Sequence, residues 1–141
     1  PCKCGNRGCL EVFASATAMV RMAKESFSEF PNTALSLEGL TALKVYEAGM
    51  AGDELSVSVF KTAGRYLGVG LANLITLLGP EVIVIGGGGA NGCKLFADDM
   101  MEQLRLRVIH SRGANVKVVT AECGDNAGLV GAARLAFDIQ G

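Results

Sequence analysis

Three cysteines fall within eight residues at the start of the sequence, in Cys2-Lys3-Cys4-Gly5-Asn6-Arg7-Gly8-Cys9. Glycine accepts the left-handed backbone that tight turns require, so Gly5 and Gly8 let the loop fold back and point three sulfurs inward. Three converging thiolates suit Zn²⁺, which takes four tetrahedral ligands of the Cys and His type. The spacing predicts a structural zinc site on Cys2, Cys4 and Cys9, and the plain alternative is three reduced thiols in a loop. The only histidine, His110, lies far along the chain near a predicted helix end, where it reads as a surface residue. The fourth ligand is therefore expected ahead of Pro1. Cys93 and Cys123 each stand alone beside the end of an element and read as small buried hydrophobes. With five cysteines in all, a fully paired secreted framework is not expected.

Two further groups carry candidate chemistry. Glu11 follows the last cysteine of the cluster by two residues. A carboxylate fixed beside a metal-stiffened loop could accept hydrogen bonds from the hydroxyls of a polyol. Equally, an acidic residue there could stabilise a helix N-terminus, and spacing does not separate the two. The second group is Gly86-Gly87-Gly88-Gly89, directly after Glu81-Val82-Ile83-Val84-Ile85. Glycines after a strand let backbone N–H groups approach a phosphate or ribose with no Cβ in the way. A flexible turn is the alternative. The run is not a P-loop, because no Lys-Ser/Thr follows it, and it is not a dinucleotide fingerprint. Gly124-Asp125-Asn126-Ala127-Gly128 makes another small-residue turn, read first as a helix cap.

Hydrophobic spacing supplies the elements that would position these residues. A helix is predicted from Glu11 to about Phe27, broken by Phe30-Pro31-Asn32-Thr33, and a shorter one from Leu40 to Ala48. Asp53 reads as the N-cap of a long helix reaching Leu78. Its apolar face is so wide that the helix is expected to be almost entirely buried. Gly64, Gly68 and Gly70 would each cost about 1 kcal/mol relative to Ala in a helix, so their spacing suggests close approach of another backbone. Glu81–Ile85 and Val116–Thr120 are short, β-branched and without alternation, which predicts parallel strands buried on both faces. Between them Gly92–His110 forms an amphipathic helix with Leu95, Phe96, Met100, Leu104 and Val108 on one side. A last helix, from Ala127 to about Phe137, is rich in Ala and Gly and is expected to pack tightly. From Glu81 onward the order is strand, helix, strand, helix, a parallel α/β arrangement. Two strands make a poor sheet, and a bare edge invites association.

Length and charge exclude several classes of function. The 141 residues correspond to about one domain, and 13 basic against 14 acidic residues leave a formal net charge of −1. No basic stretch forms a nucleic-acid footprint, the Arg105, Arg107 and Arg112 set reading as solvated faces. Half the residues are hydrophobic, which is incompatible with a disordered chain. The longest uncharged runs, Tyr66–Pro80 and Val82–Cys93, are shorter than the ~18–20 residues of a membrane span. No secretory signal opens the sequence, so a cytoplasmic protein is expected. The absence of an initiator Met, and a metal-type cluster placed at a terminus, lead to the expectation of a C-terminal part of a longer protein.

Taken together, Cys2-x-Cys4-Gly5-x-x-Gly8-Cys9-Leu10-Glu11 resembles the signature of the ROK family of repressors, open reading frames and sugar kinases. The resemblance continues through Ala14-Ser15-Ala16-Thr17, Leu74-Ile75, Pro80 to Gly88 and Gly124 to Ala133, and is most similar to bacterial ROK glucokinases. It implies the C-terminal portion of an actin-like ATPase domain of the sugar kinase/Hsp70 type, α/β in class, with helices on a partial parallel sheet. Three parts are expected along the chain: a zinc loop at 1–11, a helical region at 11–79 and a nucleotide-side region at 80–141. The resemblance implies structural Zn²⁺ on Cys2, Cys4 and Cys9 plus a preceding histidine, sugar hydroxyls on Glu11, and the adenosine of ATP near Gly86, Gly87 and Gly88. ATP and Mg²⁺ would act in the full-length protein, a hexose kinase that phosphorylates glucose at its 6-hydroxyl. The catalytic Asp and the first phosphate loop of the family precede this stretch, so no catalytic residue is expected within it and the segment alone should be inactive. The alternative implied by the family is the effector-binding segment of a sugar-responsive repressor. Either would be a homodimer.

Overall fold

The computed structural model describes residues 1–87, 90–109 and 116–139, so Gly88, His110 and Arg112 lie outside the described residues. After the cysteine loop come two helices where the sequence predicts one. Helix α1 is the four-residue turn Glu11–Ala14, and α2 runs Ala16–Glu25. Ser15 separates them with extended backbone (φ −94°, ψ 164°), and its side chain accepts a hydrogen bond from the Ala18 N–H at 3.1 Å. A serine that satisfies a free helical N–H makes a good cap, so a new helix starts there. The chain then makes a 3₁₀ turn at Phe27–Glu29 before Pro31.

Helix α3 spans Ala42–Met50, starting and ending two residues later than expected, and Thr41 caps it by accepting from the Lys44 N–H. Helix α4, Glu54–Leu78, starts where the sequence places it. The Asp53 carboxylate accepts from the Ser56 N–H at 2.9 Å, and its second oxygen takes the Ala34 N–H and the Thr33 hydroxyl, both at 2.8 Å. One side chain thereby caps the helix and ties down the loop after Pro31. Partial burial works against ionisation, yet the Ser56 and Ala34 N–H groups and the Thr33 hydroxyl prevail and hold the Asp53 carboxyl below its usual value. At the far end Gly79 takes the left-handed conformation (φ 58°, ψ 47°), its N–H returns to the Ile75 carbonyl, and Pro80 follows.

Strand β1 (Val82–Ile85), helix α5 (Cys93–Arg107) and strand β2 (Lys117–Thr120) complete a parallel unit, with Val82 opposite Lys117 and Ile85 opposite Thr120. Helix α5 lies on α4, burying Phe96, Met100 and Leu104 as the pattern predicts. Gly64 and Gly68 make that contact possible. A Cβ built on Gly64 would stand 2.6 Å from the Phe96 carbonyl oxygen, and one on Gly68 would strike the Met100 carbonyl. Here backbone meets backbone at two points four residues apart on both helices. Arg65 and Asp99 pair across the seam at 2.9 Å.

Three expectations about burial need correction. The strands are covered on one face only: Ile83, Ile85 and Val118 pack on the core, while Val82, Val84 and Val119 are exposed. Helix α4 buries one face, from Leu55 to Ile75, while Tyr66 and Leu74 are exposed and Leu77 and Leu78 are 76% and 73% exposed. The last helix, α6 (Ala127–Ile139), does not pack tightly. Its Leu129, Val130, Leu135 and Phe137 are exposed, and open space surrounds Gly128 and Gly131. In each case the apolar pattern is real, and no group among the described residues lies over it.

Candidate functional site

The cysteine loop is shaped by its glycines. Gly5 (φ +90°) and Gly8 (φ +75°) both occupy the left-handed region, and the loop is closed by Cys2 N–H to the Asn6 carbonyl at 2.8 Å and Gly5 N–H to the Cys2 carbonyl at 3.0 Å. The Sγ atoms of Cys2, Cys4 and Cys9 consequently lie within 4.8 Å of one another, with Cys4 and Cys9 3.5 Å apart. Sulfurs at tetrahedral corners, ~2.3 Å from a zinc ion, are ~3.8 Å apart, so the three donors fit a common ion. Cys2 and Cys9 are half-buried and Cys4 is exposed. The protonation chemistry agrees with the crowding. The Asn6 backbone, then the Cys2 and Cys9 side chains, hold the Cys4 thiol below its ordinary value. Hydrogen bonding to Cys4, then to Cys2, pushes Cys9 up to about 11. Adjacent sulfurs disfavour one another's ionisation, and a shared cation would relieve that repulsion. Among the described residues this group offers three donors.

Glu11, the first residue of α1, is exposed, with Oε2 4.0 Å from the Cys2 sulfur. It borders a cleft of about 200 Å³, together with Pro1, Cys2, Lys3, Val12, Ser15, Thr17, Ala18 and Arg21. Complete small-molecule sites measure roughly 300–1,000 Å³, and this cleft is smaller than that range. Arg21 donates to the Val12 carbonyl at 2.9 Å and to Glu25 at 2.6 Å, tying α2 to α1 across the cleft floor. The sequence offers Glu11 and the cysteines as candidates, whereas Arg21 at the cleft carries no local signal, being a basic residue on an amphipathic helix.

At the other end of the core, the parallel register places the carboxyl ends of β1 and β2 side by side, joined by Ala121 N–H to the Ile85 carbonyl at 2.8 Å. Both small-residue turns leave from this edge, where ligands of open α/β sheets bind. Gly87 (φ +81°) and Gly124 (φ +51°) require glycine conformations and face open space. Gly86 does not require one, since a Cβ there would make an ordinary 3.5 Å contact with Ala121. Between this edge and α1 lies an apolar cavity of about 150 Å³, bounded by Ala14, Met19, Gly64, Ile85, Gly86 and Phe96 among others. The two remaining cysteines part company. Cys93 packs against the core and burial pushes its thiol up, whereas Cys123 is exposed, contrary to its expected burial. No helix among the described residues is long and apolar enough to cross a membrane.

Comparison with known proteins places these features in a lineage. The chain is 35% identical over 136 residues to the glucokinase of Halalkalibacterium halodurans, covering 93% of the chain and 41% of that protein. Among solved structures, a ROK family glucokinase from Streptomyces griseus in complex with glucose and AMPPNP superposes with a TM-score of 0.82 at 33% identity, over 94% of this chain and 45% of that one. A ROK family transcriptional regulator, homologous to the MLC protein of Escherichia coli, superposes with a TM-score of 0.76 at 30% identity, over 84% of this chain and 30% of that one. The chain thus spans less than half the length of these relatives. Its fold is that of the ROK sugar kinases, helix-rich with a small parallel sheet. The profile of the ROK family matches residues 1–139, and the chain belongs to that family.

Proposed function

We propose that this chain builds the sugar-side wall and the nucleotide-side turns of an ATP-dependent hexose kinase that phosphorylates glucose at the 6-hydroxyl. The observation that carries the proposal is the position of Glu11: an ionisable carboxylate on the rim of a cleft, beside a loop whose three sulfurs fit one metal ion. The wider resemblance to glucokinases supports the choice of substrate. Cys2, Cys4 and Cys9 would hold a structural Zn²⁺, completed by a ligand from outside this group. Bound there, the ion supplies rigidity to the loop; it is not asked to activate water.

In this reading the chain's own residues bind and orient. Glu11 accepts hydrogen bonds from hexose hydroxyls, charge-assisted and so each stronger than a neutral pair. Gly86, Gly87 and Gly88 keep side chains away from the adenosine of ATP. Phosphoryl transfer depends on positioning and on neutralising phosphate charge, with ATP and Mg²⁺ as the reacting pair. No side chain of this chain is assigned the base that accepts the 6-hydroxyl proton, and residues 1–141 by themselves are expected to release no ADP. The zinc loop (1–11), the helical region (11–79) and the nucleotide side (80–141) are the three functional parts of this segment. The protein works in the cytoplasm as a homodimer, with no nucleic acid bound through this segment.

A second reading is favoured by the likeness to the ROK regulator: a repressor in which the same cleft senses a sugar. The two separate in an ADP-release assay on the protein that carries this chain. Glucose-dependent ADP release supports the kinase. Hexose binding without ADP release, together with sugar-sensitive binding to an operator DNA, supports the repressor.

A further inference from the structure

We infer that Tyr66, on the long helix α4, is a positioning residue that holds Glu11 in its hexose-binding orientation through Phe13. Helix α1 is one turn long, too short to hold its own direction, so whatever grips it aims Glu11. Arg21 of α2 holds the backbone of the turn at the Val12 carbonyl, and α4 grips its apolar side chains. The Phe13 ring stacks on Tyr66 with centroids 4.4 Å apart and planes at 27°. One turn along α4, Gly70 receives Leu10, whose Cδ2 lies 2.7 Å from where a Cβ on that glycine would sit. Tyr66 and Gly70 are four apart on one helix face, and Leu10 and Phe13 are three apart on the α1 turn, so the two surfaces meet as matched ridges. Glu11 stands between Leu10 and Phe13 in sequence, with its carboxylate near the Cys2 sulfur at the cleft.

The stack is otherwise unexplained. Tyr66 is 42% exposed, so it contributes little to the core. An offset aromatic pair is directional, and it resists rotation of α1 in a way that a lone aliphatic contact does not. The inference rests on Glu11 being a hexose contact, as proposed above.

The test is calorimetric titration of the zinc-loaded protein carrying this chain with glucose, N-acetylglucosamine and xylose. Tyr66→Phe, which keeps the flat ring, should bind the preferred sugar as the unaltered protein does. Tyr66→Ala should weaken it about 10- to 100-fold, the equivalent of a misplaced charge-assisted hydrogen bond. If Tyr66→Ala fails to fold, Tyr66→Leu, with apolar bulk but no ring, is held to the same expectation. Unchanged affinity in the folded Ala or Leu variant overturns the inference, and so does equal weakening in Tyr66→Phe, which would assign the role to the hydroxyl. A folded, unaltered protein that binds none of the three sugars instead overturns the reading of Glu11 on which the inference stands.

Discussion

At the scale of single residues, the candidate chemistry of the chain is densest in eleven positions, Pro1 to Glu11. The glycine conformations at Gly5 and Gly8 and the convergence of Cys2, Cys4 and Cys9 follow from local sequence, which is why the loop was legible in advance. Spacing leaves Glu11 open, because a carboxylate at a helix start serves a dipole or a ligand equally well. What the structure adds is the cleft beside it. Arg21 escaped notice because its partner is the carbonyl of Val12, a contact that no residue type announces. If the three sulfurs share one ion, Cys9→Ser removes a ligand and lowers metal affinity steeply. Zinc measured by elemental analysis should fall from about one ion per chain to well below half that after dialysis against a mild chelator. Equal zinc in the variant and the unaltered protein would contradict the shared site.

At the scale of elements, two side-chain choices decide how helices start and meet. Gly68→Ala forces a methyl into the Met100 carbonyl, and neither backbone can move without shifting a helix. The expected cost is about 1–3 kcal/mol, the range for overpacking a filled core, read as a lowered urea midpoint. An unshifted midpoint would mean that α4 and α5 are not in backbone contact. Asp53→Ala should cost about 1 kcal/mol as a lost N-cap. Its pH dependence has a definite sign. The folded carboxyl titrates below its unfolded value of about 3.9, so its contribution is complete above that pH and disappears as the pH falls through the lowered folded value. The stability gap between Asp53→Ala and the unaltered protein should therefore be full at neutral pH and shrink below about pH 4. A gap that instead widened in acid would contradict the cap geometry.

These caps and glycines were legible because each is a local signature: Asp53 before an apolar run, Gly64 and Gly68 one turn apart. The break at Ser15 was not, since a serine suits a helix interior or a cap and only the folded backbone decides. Likewise the stack of Phe13 on Tyr66 joins distant parts of the chain, and neither residue's neighbours in sequence reveal it.

At the scale of the whole molecule, the core is dense around α4 and α5 and open toward β1, β2 and α6. Sequence pattern reports that a residue is apolar but not what will cover it. That is why the strands read as buried on both faces although one face is bare. The same core separates two candidate edges, the cysteine loop with Glu11 and the carboxyl ends of the two strands with Gly86 and Gly87. A kinase needs such a division, with sugar on one side and nucleotide on the other. The measurement that tests this account most directly is glucose-dependent ADP release by the protein carrying this chain, compared with its Glu11→Gln variant. Turnover should require glucose and, in the variant, kcat/KM for glucose should fall about 10- to 100-fold while thermal stability is retained. Glucose-dependent turnover that is indifferent to Glu11→Gln would contradict the assigned sugar contact, and a folded protein releasing no ADP with glucose would contradict the kinase itself.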